Sequence, residues 1–192
     1  AFRAAGVVWI EDGGSITAPY LKSMKIAGDF DGDLTLASET APKGYALGSA
    51  TIGGSLTGDW DLFSAGKITV KGFVNSADLA FGREYDAKLK ALGSLTVKGL
   101  FNASHLTLQG NAGSLYFGGW LNGSTINGGP TDGSFAKITL KGLRKTSALT
   151  PYGVSADYIG SLSATFTDGE KFTLKKQGDA YARTWGHFEL EI

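Results

Sequence analysis

Along most of the chain an apolar residue precedes a small polar pair, and an alternating apolar-Thr-apolar run follows. Next come a Gly-bearing corner and two bulky apolar residues, then a polar corner and a second apolar-Thr-apolar run. The stretch 92–108, LGSLTVKGLFNASHLTL, shows the plan most fully. Copies begin near Leu21, Leu47, Ala65, Leu92, Ala112, Phe135 and Ile159. Six intervals over 138 residues give a period of about 23. Short strands and Gly corners at such a period are the mark of a stacked solenoid.

Period-2 alternation in Ile68-Thr69-Val70, Leu95-Thr96-Val97 and Ile138-Thr139-Leu140 turns aliphatics inward and Thr outward. Stacking the copies therefore predicts one buried column of Ile26, Ile52, Val70, Val97, Phe117 and Leu140. It also predicts an outer column of Thr51, Thr69, Thr96 and Thr139. The second copy aligns on the first without gaps: Ile52 on Ile26, Gly54 on Gly28, Leu56 on Phe30, Gly58 on Gly32, Trp60 on Leu34. Later copies hold one more residue between the two runs, Val70 to Leu79 and Val97 to Leu106, which places an insertion at a corner.

A sandwich or barrel is the alternative, but it calls for Asn-Gly or Asp-Gly turns at short, regular spacing. Asn122-Gly123, Asn127-Gly128 and Asp168-Gly169 come late and do not recur. Strands of three to five residues are barely stable as isolated hairpins, and stacking on like neighbours removes that weakness. The expected fold is all-β, a single-stranded parallel β-helix (β-solenoid) of about seven to eight rungs with divergent ends. Residues 1–20 read as a lead-in or cap, 21–166 as solenoid, and 167–192 as a C-terminal hairpin or cap that shields an open edge.

Composition narrows the function classes. Eighteen basic residues balance eighteen acidic ones, so nothing favours nucleic acid or an anionic membrane as partner. The 29 glycines are spaced at corners rather than clustered as in a linker. Without cysteine there is no disulfide framework and no thiolate site, a composition compatible with export. No run of 18 apolar residues occurs. The chain opens on Ala and closes abruptly, which reads as a mature or excised part of a larger protein.

The sharpest constellation is Asp29-Phe30-Asp31-Gly32-Asp33, with Asp59 one copy later. Carboxylates on alternate residues are what a hard cation such as Ca²⁺ needs, so these four Asp are the candidate metal site. GDFDGD resembles the start of the Ca²⁺ loop in FG-GAP repeats of integrin-type propellers, and the likeness ends after Asp33. Aligned corners read Ser55-Leu56-Thr57-Gly58-Asp59, which makes the run equally a polar variant of an ordinary corner.

Enzyme signals are thin. The two histidines, His105 and His187, lie far apart, and there is no Gly-x-Ser-x-Gly elbow, Gly-x-Gly-x-x-Gly or P-loop. The longest insertions are 37–46 and 82–91, and the second carries Arg83, Glu84, Asp86 and Lys88. Asp33 stacked near Asp59 could mimic paired carboxylates of a polysaccharide-cleaving β-helix. Two surface columns remain. Lys71, Lys98 and Lys141 share a position, as in a solvated basic ladder. Phe73, Leu100 and Trp120 precede Val74, Phe101 and Leu121; either one column faces out as an apolar binding stripe or the corner turns both inward. Asn102-Ala103-Ser104 and Asn122-Gly123-Ser124 fit glycosylation sequons.

The repeat Leu-Gly-Ser-Leu-x-Val-x-Gly-x-Phe resembles the degenerate β-helical repeats of large bacterial, planctomycete-like surface and secreted proteins, over about residues 14–166. A second, weaker resemblance is to bactofilins, whose rungs are more uniform. The first implies a non-catalytic, extracellular or cell-surface scaffold, adhesin-like, within a larger parent chain. Its partners would be polysaccharide or other surface components, with no cofactor beyond the candidate Ca²⁺. The competing expectation is a polysaccharide-binding or polysaccharide-degrading β-helix enzyme.

Overall fold

The computed structural model describes residues 2–4, 6, 8–9, 14–38, 44–82, 90–128, 133–145, 152–178, 182–185 and 188–192. Among them there is no α-helix, and the strands stack in parallel into a β-solenoid with three faces. The first face is a sheet of β1 (Phe2–Ala4), β4 (Met24–Ile26), β7 (Leu47–Ile52), β10 (Ala65–Val70), β13 (Lys90–Val97), β16 (Asn111–Phe117), β19 (Ser134–Leu143), β21 (Tyr158–Phe166) and β22 (Lys171–Gly178). The second is a narrow sheet of two-residue strands: β2 (Val8–Trp9), β5 (Phe30–Asp31), β8 (Leu56–Thr57), β11 (Val74–Asn75), β14 (Phe101–Asn102) and β17 (Leu121–Asn122). The third holds β3 (Ser15–Ala18), β6 (Asp33–Leu36), β9 (Trp60–Leu62), β12 (Asp78–Phe81), β15 (His105–Leu108), β18 (Thr125–Asn127), β20 (Tyr152–Ser155), β24 (Phe188–Glu191) and β23 (Ala182–Trp185).

The register is the one that the repeats predict. Leu21, Leu47, Ala65, Leu92, Ala112, Phe135 and Ile159 are successive partners up the first sheet. So are Ile26, Ile52, Val70, Val97, Phe117 and Leu140, all buried. Outside them run Lys25, Thr51, Thr69, Thr96, Tyr116, Thr139 and Ser163. Val74, Phe101 and Leu121 line the inside of the second face, and Leu34, Trp60, Leu79, Leu106 and Ile126 that of the third. Aromatic rings thicken this core, among them Phe30 edge-on to Trp60 at 5.9 Å. Residues near the N-terminus join the stack, for β1, β2 and β3 pair in parallel with β4, β5 and β6.

Glycine makes the close stacking of the first face feasible. A Cβ on Gly66, Gly93 or Gly113 would meet the carbonyl oxygen of the preceding coil at 2.5, 2.2 and 2.1 Å. At the other end of the stack the strand direction reverses. β22 pairs antiparallel with β21, and β23 antiparallel with β24, so each wide sheet ends on an antiparallel strand. Lys171 and Lys175 stand exposed on β22, where charge discourages further strand addition.

Candidate functional site

The corner from the second to the third face is where the candidate residues collect. Its backbone turns through a left-handed residue: Gly58 at φ 94°, Ser76 at 49°, Ala103 at 44° and Gly123 at 55°. Between the aligned Leu56 and Trp60 the earlier coil holds three residues, and between Val74 and Leu79 or Phe101 and Leu106 the later ones hold four, the added residue falling in Ser76-Ala77-Asp78 or Ala103-Ser104-His105. The insertion read from the sequence lies here. Each N–H at such a corner needs an acceptor, because the sheet ladder is interrupted.

The short corners supply that acceptor with carboxylates. Asp59 N–H donates to Asp33 Oδ1 at 2.8 Å, and at the preceding corner, from the first to the second face, Ser55 N–H donates to Asp29 Oδ1. Asp78 N–H donates to Asp59 Oδ1 at 2.9 Å, and the Thr57 hydroxyl donates to Asp31 Oδ1 at 2.7 Å. All four candidate metal ligands therefore bond to the next coil. Among the described residues, no three His, Cys, Asp or Glu side chains gather closely enough to hold a metal ion.

The long corners use buried hydroxyls in place of carboxylates. Ala77 N–H donates to Ser104 Oγ at 3.1 Å and Ser104 N–H to Ser124 Oγ at 3.0 Å, with both serines buried. The Ser104 hydroxyl in turn donates to Asn102 O at 2.7 Å. Just outside them Asn122 Nδ2 donates to Asn102 Oδ1, and Asn102 Nδ2 to Asn75 Oδ1, which makes an amide ladder on the second face. Both sequon asparagines spend their amide nitrogens in this ladder. His105 Nδ1 meets Thr125 Oγ1 at 2.8 Å on the outer side of the third face.

The apolar pair separates by face. Val74, Phe101 and Leu121 are buried, whereas Phe73 is 51% exposed and Leu100 and Trp120 are half-buried. The stripe thus lies outside, along the edge between the first and second faces. Its last member is covered, since the Arg144 guanidinium sits 4.2 Å from the Trp120 ring centre. Tyr152 closes the core behind them, its hydroxyl bonded to the backbone of Arg144. Burial raises the Tyr152 phenol pKa above its ordinary value, against the opposing pull of Trp120 and Arg144.

Elsewhere, Lys71, Lys98 and Lys141 stand exposed at the margin of the first face. That is a flank of the stack, whereas the sheet edges lie at its ends. A shallow groove on the third face is bordered by Thr125, Asn127, Tyr152, Ser155, Glu189 and Glu191, opened by the missing side chain of Gly153. The charged loop of Arg83, Glu84, Asp86 and Lys88, and residues 39–43 of the 37–46 insertion, lie outside the described residues. Sequence reasoning missed the serine ladder; its signal was the small residue recurring at 77, 104 and 124 in the long corners.

Fold and corner chemistry define a parallel β-solenoid with polar ladders between its coils. In comparison with known proteins, the chain matches no family model, no curated protein and no solved structure.

Proposed function

We propose that the chain is a non-catalytic scaffold segment of some seven to eight rungs, part of a larger extracellular or cell-surface protein and adhesin-like in its role. The single observation behind this reading is how the polar side chains are used. Asp29, Asp31, Asp33 and Asp59 each give an acceptor to the next coil, so the residues best suited to chemistry serve cohesion. A hydrolytic site needs an acid, a base and a bound substrate at one place.

Phe73, exposed at the head of the Phe73-Leu100-Trp120 stripe, favours a second reading in which the scaffold holds a polysaccharide without cleaving it. A screen against neutral and acidic polysaccharides tests both. Binding without turnover, weakened by Phe73→Ala, is the expected result. Turnover abolished by Asp33→Asn or Asp59→Asn would replace the scaffold with an enzyme.

A further inference from the structure

The charges cancel along the sequence, but the fold sorts them by face. The first face carries Lys25, Lys67, Lys90, Lys137 and Lys141, all exposed, and its last strand adds Lys171 and Lys175. No strand of that sheet contains Asp or Glu. Acids near it stand at the margins, as with Asp29 after β4 and Asp157 before β21, or in the hairpin turn, where Asp168 and Glu170 hold Lys145. The third face is its opposite. Its strands carry Asp33, Asp61, Asp78, Glu189 and Glu191, with Asp59 just before β9, and no Lys. Beyond the imidazole of His105, its one basic residue is Arg183 on the terminal antiparallel strand. In the columns of the first face, Lys67 lies between Ser49 and Ser94, and Lys137 beside Ser114.

We propose that the basic first face of one copy docks against the acidic third face of a second copy, so that solenoids associate side by side. The two faces match in sign, and as parts of one stack they share an axial repeat of about 4.8 Å. Eight parallel strands at that spacing, three to four residues wide on the third face, present on the order of 400 Å² per partner. The total of about 800 Å² is the size of a weak, transient interface, which suits association carried mainly by charge. The third-face acids are densest in the early coils, from Asp33 to Asp78, and the lysines in β19 and β22. The best match at full overlap therefore runs the two copies in opposite directions along the axis. Contact between unlike faces leaves one of each free, so it propagates unless it closes into a ring.

Sedimentation velocity on the full chain tests this at about 10 mM salt, where the Debye length is about 30 Å, and at about 1 M, where it is about 3 Å. The expected result is association at low salt that dissolves at high salt. Lys67→Glu with Lys137→Glu sets two carboxylates in the basic face, and Asp78→Lys with Glu189→Lys sets two lysines in the acidic face, so each variant weakens one docking face and keeps the other. Each double variant alone should stay monomeric, and a 1:1 mixture should associate again, which also shows that both variants fold. If the Glu pair does not fold, Lys67→Ser with Lys137→Ser replaces it, because serine already occupies that column at 49, 94 and 114. A wild type monomeric at low salt overturns the proposal, as does association unchanged in the variants. A monomeric wild type that binds an anionic polysaccharide through Lys67 and Lys137 would reassign the basic face to a polyanion, and equally overturns it.

Discussion

Asp33 Oδ1 accepts the backbone N–H of Asp59 at 2.8 Å, one coil further along the stack. Asp59 repeats the gesture towards Asp78 at 2.9 Å. Two neighbouring acids thus sit in line along the solenoid, each facing a backbone donor, and the ladder passes to buried serines where the corner gains a residue.

Removing the acceptor should cost little but measurably. Asp33→Ala leaves the Asp59 N–H to water and is expected to lower stability by about 1 kcal/mol, whereas Asp33→Asn keeps a carbonyl oxygen there and loses less. Urea unfolding of the two variants measures the difference. Equal losses would mean that charge, not hydrogen bonding, is what the position supplies.

Calcium separates the two readings of the same residues. A cation bound only by the folded chain raises the melting temperature by linkage. Millimolar Ca²⁺ is expected to leave it unchanged in the wild type. A rise that disappears in the Asp29→Asn, Asp31→Asn, Asp33→Asn triple variant would restore the cation-binding loop.

The left-handed corner offers a stabilising change. Ser76 and Ala103 hold φ values of 49° and 44°, where aligned Gly58 and Gly123 sit without a Cβ. A left-handed non-Gly residue costs roughly 1–2 kcal/mol, and glycine gives part of that back in the unfolded chain. Ala103→Gly should therefore raise the melting temperature by a few degrees. A fall would show that the corner is relaxed as it stands.

Close approach makes the opposite case at Gly93. A Cβ there would lie 2.2 Å from Gly66 O, whereas one at Gly6 has nothing within 4 Å. Gly93→Ala is expected to cost about 1–3 kcal/mol and Gly6→Ala close to nothing. Ala136 occupies the position after Phe135 that Gly113 holds after Ala112, so a local backbone shift can absorb such a side chain. Val97→Asp is the harsher test of the same sheet. It buries an unpaired charge in the aliphatic column, and about 3–5 kcal/mol should be lost in thermal or denaturant unfolding.

Acid should loosen the terminal hairpin first. The Lys145 ammonium, 2.9 Å from Asp168 Oδ2, holds the Asp168 carboxyl below its ordinary pKa. Because the folded value is the lower one, the pair's contribution is present above the unfolded pKa of about 3.9 and fades as pH falls through the folded value. Protection of the Phe166 to Glu170 amides, taken as exchange relative to the intrinsic rate at each pH, should fall over that window in the wild type and stay level in Lys145→Met.

The axial order of this protein follows from the repeat alone. Leu21 through Ile159 and Ile26 through Leu140 are aligned by period-2 alternation inside a repeat of about 23 residues, and a one-residue slip would expose every aliphatic at once. Register and core were legible for that reason. The second face was not, since Val74-Asn75 and Phe101-Asn102 are two-residue strands, too short to show a period. Nor could the chain say that Phe73 points out while Val74 points in, because the turn of the backbone at that corner decides it. The same holds for the Asp run, where cation loop and corner ladder share one spacing and only the structure sets Asp29, Asp31, Asp33 and Asp59 against donors of the next coil. Charge is the clearest case. A net charge of zero is a sum over the chain, and the closure of each coil into three faces is what sends lysines to one side and carboxylates to another.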